Sequence, residues 1–274
     1  MVARALSALQ SRLVLHLEWE KQPVVTIAEA MAILGVSYDQ ARQVLHQLAR
    51  RRWLAAIVPG KYELIPAERG EHAFVETNPL FIGSVLVTPY YFSFATAAFF
   101  HGLSTQASAT VYIATTVDRA RHLLVREKEY QLVTQPSHKF FGAVEVDAYG
   151  SRVMMAEPEK AVLDCLDRPQ YAGDIPEVAA MLWRGKGRLV WPRLAEYALR
   201  FRSQALVQRL GYLVDSLNLP VDSDAREQLL HQTGKSTCYL GQPGRWPGGG
   251  RYNATWRVVD NVPREELLSE IEVR

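Results

Sequence analysis

Residues 26–65 read TIAEAMAILGVSYDQARQVLHQLARRRWLAAIVPGKYELI, and the local signals in this run reinforce one another. Thr26 followed three residues on by Glu29 is a capping box, in which each side chain satisfies a backbone N–H at a helix start. Gly35 supplies the left-handed residue that ends the helix. Ser37 and Gln40 at once open a second box, so two helices are joined by a turn of about three residues containing Gly, the helix-turn-helix signature. Behind them, WLAAIVPGKYELI holds two short apolar runs around Pro59-Gly60, a β-hairpin. Ahead, Ala5, Leu6, Leu9, Leu13, Val14 and Leu17 form an apolar helix stripe that Gln22-Pro23 ends. Helix, helix, turn, helix, hairpin predicts a winged helix-turn-helix domain over residues 1–68, with the hairpin as wing.

In the second helix of the pair, Ala41, Val44, Leu45 and Leu48 share one face, and Tyr38, Asp39, Arg42, Gln43 and His46 share the other. Arg suits guanine and Gln suits adenine in a major groove, while Ser37 and the helix-terminal amides suit a phosphate. Arg50, Arg51, Arg52 and Lys61 flank that face at the helix end and wing tip, where phosphate contacts would position the domain without reading sequence. The plainer alternative is a solvated face on a winged helix used for protein contact. The agreement of caps, turn and hairpin favours duplex DNA. Charge points the same way: residues 1–70 carry Arg4, Arg12, Lys21, Arg42, Arg50, Arg51, Arg52, Lys61 and Arg69 for a net +3, and the rest of the chain sums to −1.

The 274 residues are 48% hydrophobic and 22% charged, which excludes disordered, fibrous and long coiled-coil classes. Cys165 and Cys238 stand alone with no C-x-x-C, so a disulfide framework or thiolate zinc cluster has no raw material, and a reducing cytoplasm fits. The N-terminal run reads as a domain helix, not a signal peptide. Residues 77–117 contain no Asp, Glu, Lys or Arg, but Pro79, Gly83, Pro89 and His101 cut them into pieces shorter than the roughly 20 apolar residues of a membrane span. They are expected as buried core with no membrane partner, a membrane span being the lesser alternative.

From about Arg69 the pattern becomes strand-rich and then helical, which predicts an α+β protein whose residues 69–274 form a larger mixed α/β domain. Strands are expected at TVYIATT, HLLV, YQLVTQ, AVEVDAY and RVMMA. Ser93 is expected to cap a helix through FATAAFFHGL, Pro158 to open one after Glu157, and Asp174 with Glu177 to box another, with further helices at 192–201 and 203–217. Strands CYLGQ and TWRVV flank the loop QPGRWPGGG near the end. In the helix after Pro158, spacing buries Ala161, Val162 and Leu166 and turns Lys160, Asp164, Asp167 and Arg168 toward the outer face or the following loop.

Several enzyme readings are weak. Gly234-Lys235-Ser236-Thr237 ends like a phosphate-binding loop, but Leu229 stands where its other Gly belongs. Glu145, Asp147, Glu157 and Glu159 with Lys160 raise a metal-dependent nuclease, yet Pro158 starts a helix at the critical point and a helix N-terminus favours acids anyway. His101 and His138 have no partner spacing, and the cysteines lie in apolar or mixed runs. No catalytic residue, metal or cofactor is expected.

TIAEAMAILGVSYDQARQVLHQLARRRWLAAIVPGKYELIP, YYFSFATAAFFHGL, MAEPEKAVLDCLDRPQYAGDIPEVAAML, RLGYLVDSLNLP and YNATWRVVDNVP together resemble the AbiEi-type antitoxins of bacterial and archaeal type IV toxin–antitoxin systems. The resemblance covers nearly the whole chain, and its most specific parts are the YYFS…HGL block and EKAVLDCLDRPQYAGDI. It implies an N-terminal winged helix that represses its own operon. It also implies a C-terminal domain that counteracts a nucleotidyltransferase-like toxin without a stable complex. On that reading Lys160, Asp164, Asp167 and Arg168 are the candidate antitoxin surface, the plainer alternative being charges that cap and solvate a helix end. Independently of the resemblance, one winged helix reads only a few base pairs, so the DNA partner is expected to be an operator with repeated or inverted half-sites. Two other readings stay open: a winged-helix protein with a divergent nuclease domain, and a repressor whose second domain senses a small molecule.

Overall fold

The computed structural model describes residues 5–69, 75–118, 121–247 and 249–272. Arg4, counted above among the basic residues, lies outside them. The chain is an α+β protein that divides into two compact units, Met1–Leu86 with Leu124–Glu127, and Val87–Leu123 with Lys128–Arg274. The boundary expected after residue 68 therefore falls inside the first unit.

The first unit runs α1 (Ala8–Trp19), β1 (Val24–Thr26), α2 (Ile27–Leu34), α3 (Tyr38–Arg50), β2 (Leu54–Val58) and β3 (Lys61–Leu64), followed by α4 (Pro79–Ser84). Each of the first three helices starts on a reciprocal capping box, at Ser7/Gln10, Thr26/Glu29 and Ser37/Gln40. Gly35 ends α2 in the left-handed region at φ +67°. β2 and β3 form the expected antiparallel hairpin, and β1 adds to it in the order β1-β3-β2. The core is a single cluster built from Leu13, Val14 and Leu17 of α1, Ala30 and Leu34 of α2, Ala41, Val44, Leu45 and Leu48 of α3, and Val25, Leu54 and Leu64 of the strands. Fully burying a Leu or Val contributes about 1.5–3 kcal/mol, so this face of α3 is committed inward and the opposite face is left for solvent or a ligand.

Glu63 of β3 is buried, and two guanidinium groups neutralise it: Arg69 Nη1 at 3.1 Å and Arg126 Nη1 at 2.7 Å. Arg126 also donates to the Glu76 carbonyl at 2.7 Å. It comes from the short segment 124–127, which the chain returns to this unit after leaving it.

The second unit begins with β4 (Tyr91–Phe92), α5 (Phe94–Phe100), β5 (Thr110–Thr115), the first three residues of β6 (Arg121–Val125), whose last two belong to the 124–127 segment of the first unit, and β7 (Lys128–Thr134). β8 (Ala143–Ala148), β9 (Ser151–Ala156), α6 (Pro158–Asp167), α7 (Ile175–Arg184), α8 (Trp191–Arg200), α9 (Gln204–Ser216) and α10 (Ser223–His231) follow. The unit closes with β10 (Cys238–Tyr239), β11 (Arg251–Asn253), β12 (Val258–Asp260) and α11 (Arg264–Glu272). Strands β6-β7-β5-β4-β9-β8 make one mixed sheet, parallel at β5/β7 and β4/β9 and antiparallel at β4/β5 and β8/β9. β10-β12-β11 make a second, smaller sheet. Pro158 occupies the first turn of α6 as expected. α6 then packs against α5, α7, α8 and α9, so it has no solvent face, and residues 159–166 are all buried. At Gly211 on α9 an added Cβ would come within 2.2 Å of the Trp256 ring, so this helix needs its glycine for the fully buried indole to pack.

Several local expectations differ from the structure. Ser93 does not cap α5, because its hydroxyl is drawn away to a buried carboxylate. Asp174 sits at φ +75° and accepts from the next residue's N–H at 2.8 Å and from Arg245 Nη1 at 3.1 Å, while Glu177 turns to Arg184 at 3.0 Å, so the expected box at α7 is replaced by two ion pairs. Of TWRVV, Thr255, Trp256 and Arg257 belong to the turn 254–257, and only its two valines enter β12 (Val258–Asp260). Much of residues 77–117 is buried in helices and strands. No helix among the described residues is long and apolar enough to cross a membrane.

Candidate functional site

α3 owes its position to Ser37. The Ser37 Oγ accepts from the Gln40 N–H at 3.4 Å, and Gln40 Oε1 accepts from the Ser37 N–H at 3.2 Å. With Ala41, Val44, Leu45 and Leu48 inside, the residues Tyr38, Asp39, Arg42, Gln43, His46 and Arg50 are exposed. Asp39, Arg42, Gln43, His46 and Arg50 follow one another at helical spacing, a strip about 16 Å long at 1.5 Å per residue. The helix ends in a Schellman motif, with Trp53 N–H bonded to the Leu48 carbonyl at 3.0 Å and Arg52 N–H to the Ala49 carbonyl at 3.1 Å. The residue held left-handed there, at φ +58°, is Arg52, where glycine is usual. Among the described residues no hydrogen bond or ion pair engages the side chains of Arg42, Gln43, His46, Arg50 or Arg52.

Two members of the expected DNA-binding set are occupied elsewhere. Arg51, at the C-cap of α3, donates from Nη1 to the Ala5 carbonyl at 2.6 Å and to Gln10 Oε1 at 2.8 Å, tying the start of α1 to the end of α3. Gln10 continues the tie by donating to Gln47 at 2.7 Å. Lys61 does not stand on a free wing tip. The hairpin turn is only Pro59-Gly60, so Lys61 is already in the ladder opposite Thr26, and its ammonium donates to the Val85 carbonyl at 2.6 Å.

The expected outer face of α6 is overturned. Lys160 and Asp164 are both wholly buried and form an ion pair one helical turn apart. Asp164 also accepts from Ser93 Oγ at 2.6 Å, Gln135 Nε2 at 3.2 Å and Tyr91 OH at 3.3 Å. The Lys160 ammonium is ringed by Phe201, Phe141 and Tyr91, with centroids at 4.5, 5.1 and 5.3 Å. Burial pushes the Asp164 carboxyl up and the Lys160 ammonium down from their usual pKa ranges, and each partner's charge pulls the other back. Tyr91 is raised by burial and then by the Asp164 charge. These side chains hold charge but offer no surface to a substrate or partner. Asp167 and Arg168 remain half-buried at the end of α6, and Asp167 accepts from Lys139 Nζ at 2.7 and 2.9 Å.

The acids of the nuclease reading fall into two groups: Glu145 and Asp147 serve a hairpin, while Glu157 and Glu159 share Arg193 Nη1 at 3.3 and 3.6 Å. Glu145 meets Arg152 at 3.4 Å, and Asp147 caps a turn through the Gly150 N–H at 3.0 Å. Glu157 accepts from Tyr197 OH at 2.6 Å, and Glu159 from the Val190 N–H at 2.8 Å. Among the described residues no three His, Cys, Asp or Glu side chains converge as a metal site. His101 bonds the Ala156 carbonyl at 2.7 Å, and burial lowers its pKa. Burial raises both thiols, Cys165 the more strongly. Ser236 of the Gly234–Thr237 run bonds Gln204 at 3.0 Å, and Gly234 packs against the same side chain.

No protein-family model matches this chain, and no curated protein matches it. Among solved structures it is similar to the crystal structure of the Rv2827c protein from Mycobacterium tuberculosis, with a TM-score of 0.64 and 18% identity over 98% of this chain and 97% of that one. At that identity the likeness speaks to the fold alone, and it extends over both units.

Proposed function

We propose that this chain is a duplex-DNA-binding repressor whose first unit is a winged helix-turn-helix, reading an operator through α3 and acting on its own operon in the cytoplasm. The order α1-β1-α2-α3-β2-β3 with sheet order β1-β3-β2 supports this reading. The observation that carries it is the outer strip of α3: Arg42, Gln43 and His46, with Arg50 and Arg52 at its end, exposed and unengaged by the rest of the protein. Arg42 and Gln43 are the base-reading pair, and Arg50 and Arg52 are the phosphate contacts. Arg51 and Lys61 support the scaffold. The test is a gel-shift titration of the full-length protein against its own upstream region at several salt concentrations. Binding should weaken with salt, and Arg42→Ala should cost about 1–3 kcal/mol and relax preference at one base position. Salt-independent binding, or an unchanged Arg42→Ala profile, would remove the reading.

The second unit is proposed to be the antitoxin part, a non-enzymatic domain acting against a nucleotidyltransferase-like toxin, and this rests on the sequence resemblance. With Lys160 and Asp164 buried, only Asp167 and Arg168 of the expected surface stay reachable. Co-expression with a nucleotidyltransferase encoded beside the gene tests it: the full chain should restore growth, and so should the Arg42→Ala chain. Growth arrest despite a folded full-length protein would count against the antitoxin role. Among the described residues no cluster of three His, Cys, Asp or Glu side chains favours the nuclease alternative.

A further inference from the structure

α1 is apolar on both sides. Leu13, Val14 and Leu17 enter the core of the first unit, while Leu15 is 62% and Trp19 84% exposed on the opposite side. Ala8, Arg12, Leu15 and Trp19 recur at spacings of four, three and four, a continuous stripe along one face. Large apolar side chains exposed side by side, here beside the charge of Arg12, mark a surface that another surface covers. Among the described residues nothing covers this stripe.

Its two ends differ in chemistry. Arg12 lies on the N-terminal side, where it gives one long bond of 3.4 Å to the Leu34 carbonyl, and Trp19 with Glu20 closes the C-terminal side. Such a stripe complements itself when reversed. About a two-fold axis midway between positions 12 and 20, at His16, each Arg12 would face the Trp19 ring and the Glu20 carboxylate of the other copy, and the two Leu15 side chains would meet at the centre. A guanidinium gains from an aromatic face and from a carboxylate together. We infer that the outer face of α1 docks antiparallel on α1 of a second copy of this chain. Stable dimers bury about 1,200–2,000 Å² in total, and one face of a three-turn helix supplies only part of that. The copies therefore meet weakly in free solution and firmly where DNA holds two of them side by side. The last consequence rests on the DNA-binding reading; the contact itself does not.

The experiment uses the full chain without DNA. Under mild oxidation Leu15→Cys, one position from the axis, should give a covalent dimer. Trp19→Cys should not, because its copies are separated by about 9 Å along the helices alone, beyond the reach of a disulfide. Wild type, with Cys165 buried and Cys238 half-buried, should stay uncrosslinked. In sedimentation, Arg12→Glu and Glu20→Arg should each weaken self-association tenfold or more, and the double variant should restore it. Equal cross-linking at 15 and 19, or a double variant no better than the singles, would overturn the inference. A protein that cross-links through Leu15→Cys but shifts no DNA keeps the α1 contact and removes the DNA reading. One that shifts DNA as single copies and never cross-links does the reverse.

Discussion

Replacing Lys160 by Met keeps most of the stem volume inside the Phe201, Phe141 and Tyr91 ring and removes only the charge. Asp164 would then be a wholly buried carboxylate with neutral donors alone: Ser93, Gln135 and Tyr91. Removing one partner of a buried ion pair costs about 3–5 kcal/mol. For a unit of this size that lowers its melting temperature by roughly 6–20 °C, at about 2–4 °C per kcal/mol. The cost should depend on pH with a definite sign. Burial already raises the Asp164 pKa, and loss of the ammonium removes the largest opposing influence, so it rises further. A carboxyl whose folded pKa lies above its unfolded one takes up its proton first in the folded state, so folding gains as pH falls through the raised value. The deficit of Lys160→Met relative to wild type should therefore be largest near pH 8 and narrow toward pH 5. Urea titrations following Trp183, Trp191, Trp246 and Trp256, all in the second unit, would measure it. A deficit under about 1 kcal/mol, or one that widens on acidification, would show that the pair does not carry the load its burial implies.

Arg52→Gly should relieve the left-handed backbone at φ +58° and raise the first unit's stability by about 1 kcal/mol, while lowering the salt slope of DNA binding by about one. Thermal denaturation and a salt series together test both halves, and a variant that melts lower with the same slope contradicts them. Lys61→Ala should leave that slope unchanged, because its ammonium already serves the Val85 carbonyl; a loss as large as that of Arg50→Ala would put Lys61 back at the phosphates. Arg126→Ala should cost about 2–4 kcal/mol by leaving the buried Glu63 with Arg69 as its one cation beside the Glu76 N–H, and adding Glu63→Gln should recover more than half. Strict additivity of the two changes would mean that the pair is not coupled.

Interactions between near neighbours were legible in the sequence. The Thr26/Glu29 and Ser37/Gln40 boxes, the Gly35 stop and the Pro158 start each act within one turn, and each has the form expected of it. What escaped depends on groups far apart in the chain. Ser93 lost its capping role to Asp164, 71 residues on, and Arg51 went to Ala5, 46 residues back. α6 misled for a different reason. A helix enclosed by α5, α7, α8 and α9 has no solvent side for a polar stripe to mark, so its charges pair with each other inside. The one local hint was the four-residue spacing of Lys160 and Asp164. At the outer face of α3 the burial pattern was readable from the apolar spacing, but which cations would be free was not. That was settled by carbonyls and amides at Ala5, Gln10 and Val85.

The return of residues 124–127 to the first unit sets a schedule for biosynthesis. Glu63 is made early, yet Arg126 is translated 63 residues later, after the chain has left for β4, α5 and β5. At about 5–20 residues per second the ribosome needs roughly 3–13 s to cover that distance, and until then the nascent sheet carries a carboxylate that lacks its closest counterion. A nascent chain in that interval gains by keeping β3 loosely packed, so the first unit reaches its full stability only after part of the second has been made. A cut at residue 68 would freeze the protein at that immature stage, and recombination that exchanged residues 1–68 between relatives as a cassette would break the same pairing.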